Sequence, residues 1–305
     1  MPCKSFPLLF LVVLTLALPS AFARRLYPFQ DDAGNWQYSD IPPAAPALIF
    51  TAQPKKFALR RKGPENEPDY WAINDYRGPV ALDVSVAEGK NFKAFPELPK
   101  TILVPGGAEI RAFTLRPADP SAPWNYKLKY NVALGDPKAQ HKPPKPYGIP
   151  FAAGSFPVTQ GFHGAASHNH PASEFAVDIA MPEGTDIVAA RAGTVMDVAN
   201  DFFGGGLDEK YQETANLIRI LHDDGTMAVY GHLRLESARI AVGMKVKEGQ
   251  VIGKSGNTGF SGGPHLHFVV QKNTDMQLVA VPFEFAGPDG KGFEPKQGTT
   301  LTAPP

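Results

Sequence analysis

From about residue 69 to 136, hydrophobic and polar positions alternate with a period of two. Val80, Leu82, Val84 and Val86 are separated by Ala81, Asp83 and Ser85, and Tyr126, Leu128, Tyr130 and Val132 by Lys127, Lys129 and Asn131. Successive side chains of a strand point to opposite faces, so each run reads as a half-buried strand with Lys127 and Lys129 on a wet face. Further apolar runs at 102–104 and 110–115, separated by turn residues, make a small antiparallel sandwich the economical assembly. Strand signals return at 187–188, 193–195, 217–221, 227–230, 251–252 and 268–271, with Asp223-Asp224-Gly225 as a hairpin turn. The pattern predicts an all-β chain, an N-terminal β-rich or sandwich region followed by an antiparallel β-sheet domain.

The spaces between these elements divide the chain. Aromatic residues at 27–29 and 36–38 flank a turn ending in Gly34, which suggests a small hairpin within a module and connector covering 24–64. The sandwich is assigned to 65–136. Pro137, Pro143, Pro144, Pro146 and Pro150 make 137–150 too proline-dense for a regular element, so it reads as a semi-rigid linker. The second β domain is assigned to 151–286. Residues 287–305 offer little to bury and read as a frayed tail.

The first 23 residues read as an address. Lys4 precedes an apolar run from Leu8 to Leu18, and Ala21-Phe22-Ala23 has the small-x-small form that a signal peptidase cleaves. The run is about half of the roughly 20 residues that a bilayer helix needs, so stable membrane insertion is not expected. The expectation is export to the periplasm or the exterior. Cys3, the sole cysteine, would leave with this peptide, and the mature chain would carry no disulfide. Composition narrows the partners further. With 30 Lys+Arg against 30 Asp+Glu, the chain lacks the positive surplus of a nucleic-acid binder, and 43% hydrophobic residues fit a globular protein. Its 29 Gly and 31 Pro favour turns and short strands over long helices.

Seven of the eight histidines fall between 163 and 267. His265-Leu266-His267 leads into an apolar strand, so both imidazoles share a face while Leu266 turns to the core. Asp178 lies inside the apolar run Phe175-Ala176-Val177-Asp178-Ile179-Ala180, where an ionised carboxylate is costly unless a cation or donors meet it. His232 shares strand parity with Tyr230. His168 and His170 both precede Asp178, and either is a candidate to converge on it. Three nitrogen or oxygen ligands with an open position form a catalytic zinc site, not a closed structural one.

The ordered set Ser167-His168, Ala176-Val177-Asp178, Met181-Pro182-Glu183-Gly184-Thr185, Tyr230-Gly231-His232-Leu233, Gly256-Asn257-Thr258-Gly259 and His265-Leu266-His267-Phe268 resembles the lysostaphin-type, or LytM-type, zinc metallopeptidases over about residues 150–286. The sandwich resembles, more loosely, the accessory region of exported members. The segment with Tyr27-Pro28-Phe29 and Ser39-Asp40-Ile41-Pro42-Pro43 resembles a short module of unknown function in exported bacterial proteins. The main resemblance implies one zinc held by His168, Asp178 and His267, with His232 and His265 as unligated catalytic histidines in a groove-like active site. It implies peptidoglycan peptides as substrate, stem-peptide cross-links ahead of other bonds, and Asn216 and Tyr230 are taken as substrate contacts. A non-catalytic wall-binding regulator is the alternative, set back by the complete ligand set. The turns at 189–195 and 243–249 look like those of biotinyl or lipoyl carriers, a reading that leaves the histidines unexplained. His163 is expected in a cleft wall or on the surface, His222 in a structural role and His141 in solvent. Gly204–Gly206, with Phe202, Phe203 and Tyr211, is expected to form a flexible loop beside the cleft. No protein regulator is identified by the sequence.

Overall fold

The computed structural model describes residues 27–30, 36–39 and 56–304. The signal segment and most of the 24–64 module therefore lie outside the described residues. Strands β1 (Tyr27–Gln30) and β2 (Trp36–Ser39) pair antiparallel, Tyr27 opposite Ser39, as the flanking aromatics suggest. Residues 1–51 and 52–305 form two separate units.

Within the second unit, seven strands form a sandwich that begins at Phe57, inside the segment expected to be module and connector, because Phe57–Lys62 completes a sheet with Asp69–Asn74, beyond that segment. They are β3 (Phe57–Lys62), β4 (Asp69–Asn74), β5 (Val80–Lys90), β6 (Phe92–Phe95), β7 (Lys100–Val104), β8 (Glu109–Pro117) and β9 (Asn125–Leu134). One sheet has the order β3-β4-β8-β6 and the other β7-β5-β9. Leu82 and Val84 from the second sheet meet Ala72, Phe113 and Leu115 from the first, all buried. Asn125, Lys127, Lys129 and Asn131 on the outward side of β9 are exposed, while Ala133 near its end is buried.

The remaining strands are β10 (Ser155–Gln160), β11 (Val177–Ala180), β12 (Asp186–Val188), β13 (Gly193–Ala199), β14 (Gly205–Gly206), β15 (Leu217–Leu221), β16 (Met227–Gly231), β17 (Lys245–Val246), β18 (Val251–Lys254), β19 (Gly259–Phe260), β20 (His265–Thr274), β21 (Gln277–Ala280), β22 (Phe285–Ala286), β23 (Gly292–Phe293) and β24 (Thr300–Thr302). Nine of them build one antiparallel sheet, β17-β13-β15-β16-β20-β11-β10-β24, with β21 beside β20. The helical content among the described residues is a single 3-10 turn at Glu209–Tyr211. No helix among them is long and apolar enough to cross a membrane.

Alternation decides where this sheet puts its core. Val177 and Ile179 of β11, Ile218 and Ile220 of β15, Ala228 and Tyr230 of β16, and Leu266, Phe268 and Val270 of β20 point to one side. There they pack on Ile187, Ile252, Phe283 and Phe285. The opposite face is left to the odd-numbered residues of β20, among them His265 and His267. The sandwich is joined to that same face toward the far ends of the strands. Asn273, in phase with His267, donates through Nδ2 to the Gly135 carbonyl at 3.2 Å, Arg77 N–H donates to Met196 O at 3.0 Å, and Lys56 pairs with Asp197. An added Cβ at Gly78 would meet Met196 Sδ at 2.7 Å, so a larger residue there would have to displace the buried Met196 side chain.

Two expectations about connecting segments differ from the structure. The proline-dense stretch is packed: Tyr147 is 1% exposed, its N–H donates to Glu284 O at 2.9 Å, and Gly148 N–H donates to Ala190 O at 2.8 Å. Proline density reports only the lack of regular structure; Tyr147, Ile149 and Phe151 between and after the prolines supply the apolar surface that seats it. The C-terminal residues likewise do not fray as a whole. Strand β24 pairs with β10, Ser155 opposite Thr302, and Leu301 is 1% exposed. One buried leucine and an open strand edge suffice, a pairing that local composition does not encode.

Candidate metal centre

Four elements meet at one end of the nine-stranded sheet. Strand register sets Asp178 directly opposite His267, and His267 opposite Gly231, the last residue of β16. Directly opposed residues in a sheet hold their Cβ atoms about 4.5–5.5 Å apart. His267 Nδ1 lies 2.9 Å from Asp178 Oδ1. His265, two residues earlier on the same face, has Nε2 3.7 Å from that oxygen.

After Gly231 the chain leaves the sheet through His232, whose φ of 57° lies in the left-handed region that non-glycine residues seldom adopt. The conformation turns the imidazole back over β20, to 4.5 Å from the His265 ring centre and 5.8 Å from that of His267. Thr258 and Asn216 hold it there. The Thr258 carbonyl lies 2.7 Å from His232 Nδ1, and the Thr258 hydroxyl donates to Leu233 O at 2.7 Å and accepts from Asn216 N–H. Asn216 Nδ2 donates to Phe202 O at 2.7 Å and to Leu233 O at 3.3 Å.

His168 arrives on the loop after β10. It is 0% exposed, with Nδ1 2.8 Å from Gly161 O and Nε2 3.3 Å from Asp178 Oδ1. A carbonyl oxygen only accepts hydrogen bonds, so the ring nitrogen facing it carries the hydrogen. This assigns Nδ1–H to His168, His232 and His265, the last through Gly263 O at 2.8 Å. Nε2 of each is then a lone pair. For His168 that lone pair is buried without a hydrogen-bond partner and faces a carboxylate oxygen. Two buried acceptors so close repel unless a cation lies between them. His168, Asp178 and His267 each offer one ligand atom, all within 4.8 Å of one another, the single such group of three or more among the described residues. The set of two imidazoles and a carboxylate suits zinc, and it leaves room for a fourth ligand.

Burial by itself would raise the Asp178 carboxyl, but the imidazoles of His168 and His267, when protonated and donating to it, hold it far below the ordinary range. Against the opposing effect of burial, Asp178 in turn raises His168; the oxygen between the rings is a place for positive charge, which a proton or a metal ion supplies. Burial, then the neighbouring His265 and His267, push His232 down to about 3, so it stays neutral at physiological pH.

The structure sorts the other expected residues. His170 is exposed and outside the cluster. His163 is exposed and sets its ring edge against Phe175 at 4.8 Å. His222 is 3% exposed, donates to Ala192 O and packs against Tyr147. His141, expected in solvent, is half-buried and stacked on Tyr147 at 6.1 Å, and burial lowers its pKa. Asn216 and Tyr230, expected to touch substrate, are both 0% exposed. Asn216 spends its amide on Phe202 and Leu233, and Tyr230 accepts the Ala190 N–H at 2.8 Å through its hydroxyl. Core parity turns Tyr230 inward.

Residues missed by sequence reasoning are those that hold the site's members. Thr258 and Gly161 act through backbone carbonyls, which any residue type supplies. Gln160 donates through Nε2 to Asp178 Oδ2 at 3.0 Å and to Ser167 Oγ at 2.7 Å, and no local pattern marks it.

Residues 172–278 match the family model described as Peptidase family M23, and the chain carries a peptidase M23 domain. The domain is homologous to lysostaphin of Staphylococcus simulans, 33% identical over 132 residues that cover 43% of this chain and 24% of that protein. The peptidoglycan DD-endopeptidase ShyA of Vibrio cholerae is 37% identical over 91 residues, 30% of this chain and 18% of its own. This chain thus spans a quarter or less of the length of these relatives. Among solved structures, the catalytic domain of lysostaphin from S. simulans is 28% identical, covering 43% of this chain and 88% of that chain with a TM-score of 0.31. The matched family span holds Asp178, His232, His265 and His267 but begins after His168, whose membership rests on geometry.

Proposed function

We propose that this protein is a zinc-dependent endopeptidase that hydrolyses peptide bonds of bacterial peptidoglycan, acting on stem-peptide cross-links. The observation that carries this reading is the convergence of His168, Asp178 and His267 into one ligand group with two further imidazoles, His232 and His265, beside it on one sheet face. When bound, zinc supplies a Lewis acid that acidifies water near neutral pH and polarises the scissile carbonyl. The residues around it would do the rest. His265, with its Nδ1–H anchored on Gly263 O, presents an Nε2 lone pair that accepts a proton from the attacking water. Once protonated, that nitrogen becomes a donor able to pass the proton to the leaving amine. His232, kept neutral by burial and fixed by Thr258, presents the second Nε2 at the same opening. The Thr258 carbonyl on its Nδ1 aims that nitrogen before the reaction begins.

This reading extends to the whole chain. Residues 1–23 act as a cleaved signal peptide, and the mature protein works in the periplasm or outside the cell, with the sandwich as an accessory region of the peptidase. The experiment is incubation of zinc-loaded protein, residues 24–305, with cross-linked muropeptides, with products identified by mass spectrometry and a His265→Ala control. The expected result is loss of cross-linked species in the wild type alone. Intact muropeptides despite one bound zinc per chain would overturn the proposed activity on this substrate.

A further inference from the structure

The three ligand-bearing residues come from two strands and a loop, and the loop has no regular structure to fix it. Every hydrogen bond made by the Gln160 side chain goes to the segments that carry two of them. One hydrogen of its Nε2 goes to Asp178 Oδ2 at 3.0 Å and the other to Ser167 Oγ at 2.7 Å, while Oε1 accepts the Ala166 N–H at 3.1 Å. Ser167 and Ala166 immediately precede His168. The amide can sit only this way round: flipped, its oxygen would face the carboxylate and its NH2 would face a backbone N–H. The adjoining Gly161 carbonyl holds His168 Nδ1. The end of β10 is therefore a platform beneath both residues, and Gln160 lies directly opposite Asp178 in the β10–β11 register. The loop makes room for it, because an added Cβ at Gly164 would lie 2.2 Å from Gln160 Cγ.

Resting on the metal-centre reading above, we propose that Gln160 is a positioning residue for the metal: it leaves Asp178 Oδ1 facing the imidazoles by occupying Oδ2, and it ties the His168 loop to the same carboxylate. Outer partners of this kind orient metal ligands, and their loss typically weakens metal binding by about 10–100-fold.

The test is zinc affinity of the full chain, read by competition with a fluorescent chelator, for wild type, Gln160→Met and Gly164→Ala. Gln160→Met keeps the shape and removes every polar contact. Gly164→Ala keeps the glutamine and pushes it aside. Both are expected to bind zinc about 10–100-fold more weakly, with an altered visible spectrum of the cobalt-loaded form and a metal-free form that loses less stability than is lost in zinc binding. In a Gln160→Ala background, Gly164→Ala is expected to cost no further affinity, because the displaced side chain is already gone. Wild-type affinity and spectrum in Gln160→Met would overturn the proposal, as would an affinity loss accompanied by an equal fall in metal-free stability. A wild type that binds no zinc would instead overturn the metal-centre reading itself.

Discussion

The sandwich and the nine-stranded sheet use the same alternation of strand faces but spend the non-core face differently. In the sandwich, most of that face goes to water. Lys127 and Glu88, 3.6 Å apart, are 70% and 76% exposed, so their pairing adds little stability. In the nine-stranded sheet, β20 sends Leu266, Phe268 and Val270 to the core, while its other face carries His265 and His267 beside Asp178, a carboxylate only 9% exposed. Removing an ion from water costs several kcal/mol unless partners compensate. The comparison teaches that polar residues alternating with apolar ones are a wetted surface when exposed, and a site when they are buried and converge from several elements.

The largest expected effect would break the comparison at the catalytic face. His265→Ala should lower turnover of muropeptides by roughly 10²–10⁴-fold while zinc content, measured by elemental analysis, stays at the wild-type level; Asp178→Asn should lose the zinc as well. A matching cut in the sandwich should do the reverse. Leu82→Ala, at a fully buried position, should cost about 2–5 kcal/mol in urea unfolding, with zinc content and turnover per folded molecule unchanged. If turnover fell with it, the sandwich would have a share in the chemistry.

A third prediction concerns a buried histidine away from the metal centre. Burial holds His222 at about 4 in the folded chain, below the ordinary value of 6.5. Above 6.5 both folded and unfolded forms are neutral and the group is silent. As pH falls from 6.5 toward 4 the unfolded chain binds a proton that the folded chain refuses, so stability falls, by up to about 3 kcal/mol. Urea midpoints at pH 7 and 5 should differ less in His222→Gln than in the wild type; an unchanged difference would remove His222 from the acid response. The smallest effect belongs to the clamp on His232. Thr258→Val should lower kcat by up to about tenfold, the worth of one hydrogen bond, without moving KM or zinc content, and Thr258→Ser should retain wild-type kcat.

Much of the site was legible because its signals are local. The His265-Leu266-His267 spacing within a strand makes both imidazoles share a face, and an aspartate amid apolar residues demands a partner. His168 against His170 could not be settled this way, because both lie on an irregular loop whose path is fixed by Gly161, Gln160 and Ser167. Asn216 and Tyr230 are turned away from solvent by contacts that a local motif does not carry: Tyr230 has the parity of the core residues Ala228 and Phe268, and Asn216 is held by Phe202 and Leu233. The proline-dense stretch and the C-terminal strand were misjudged because their order comes from docking onto distant residues, Glu284 and Ala190 for one and β10 for the other.

What the sequence determined by itself is the periodic part: strands, core faces, the same-face histidines and the unusual placement of Asp178, all consequences of a side-chain period of two. What only the tertiary structure decided is the meeting of groups far apart along the chain: Asp178 opposite His267, His168 above them, His232 turned back by its left-handed backbone, and Gln160 beneath. Register and loop closure bring these atoms together through contacts between residues tens of positions apart, and no local pattern of apolar and polar residues carries that information.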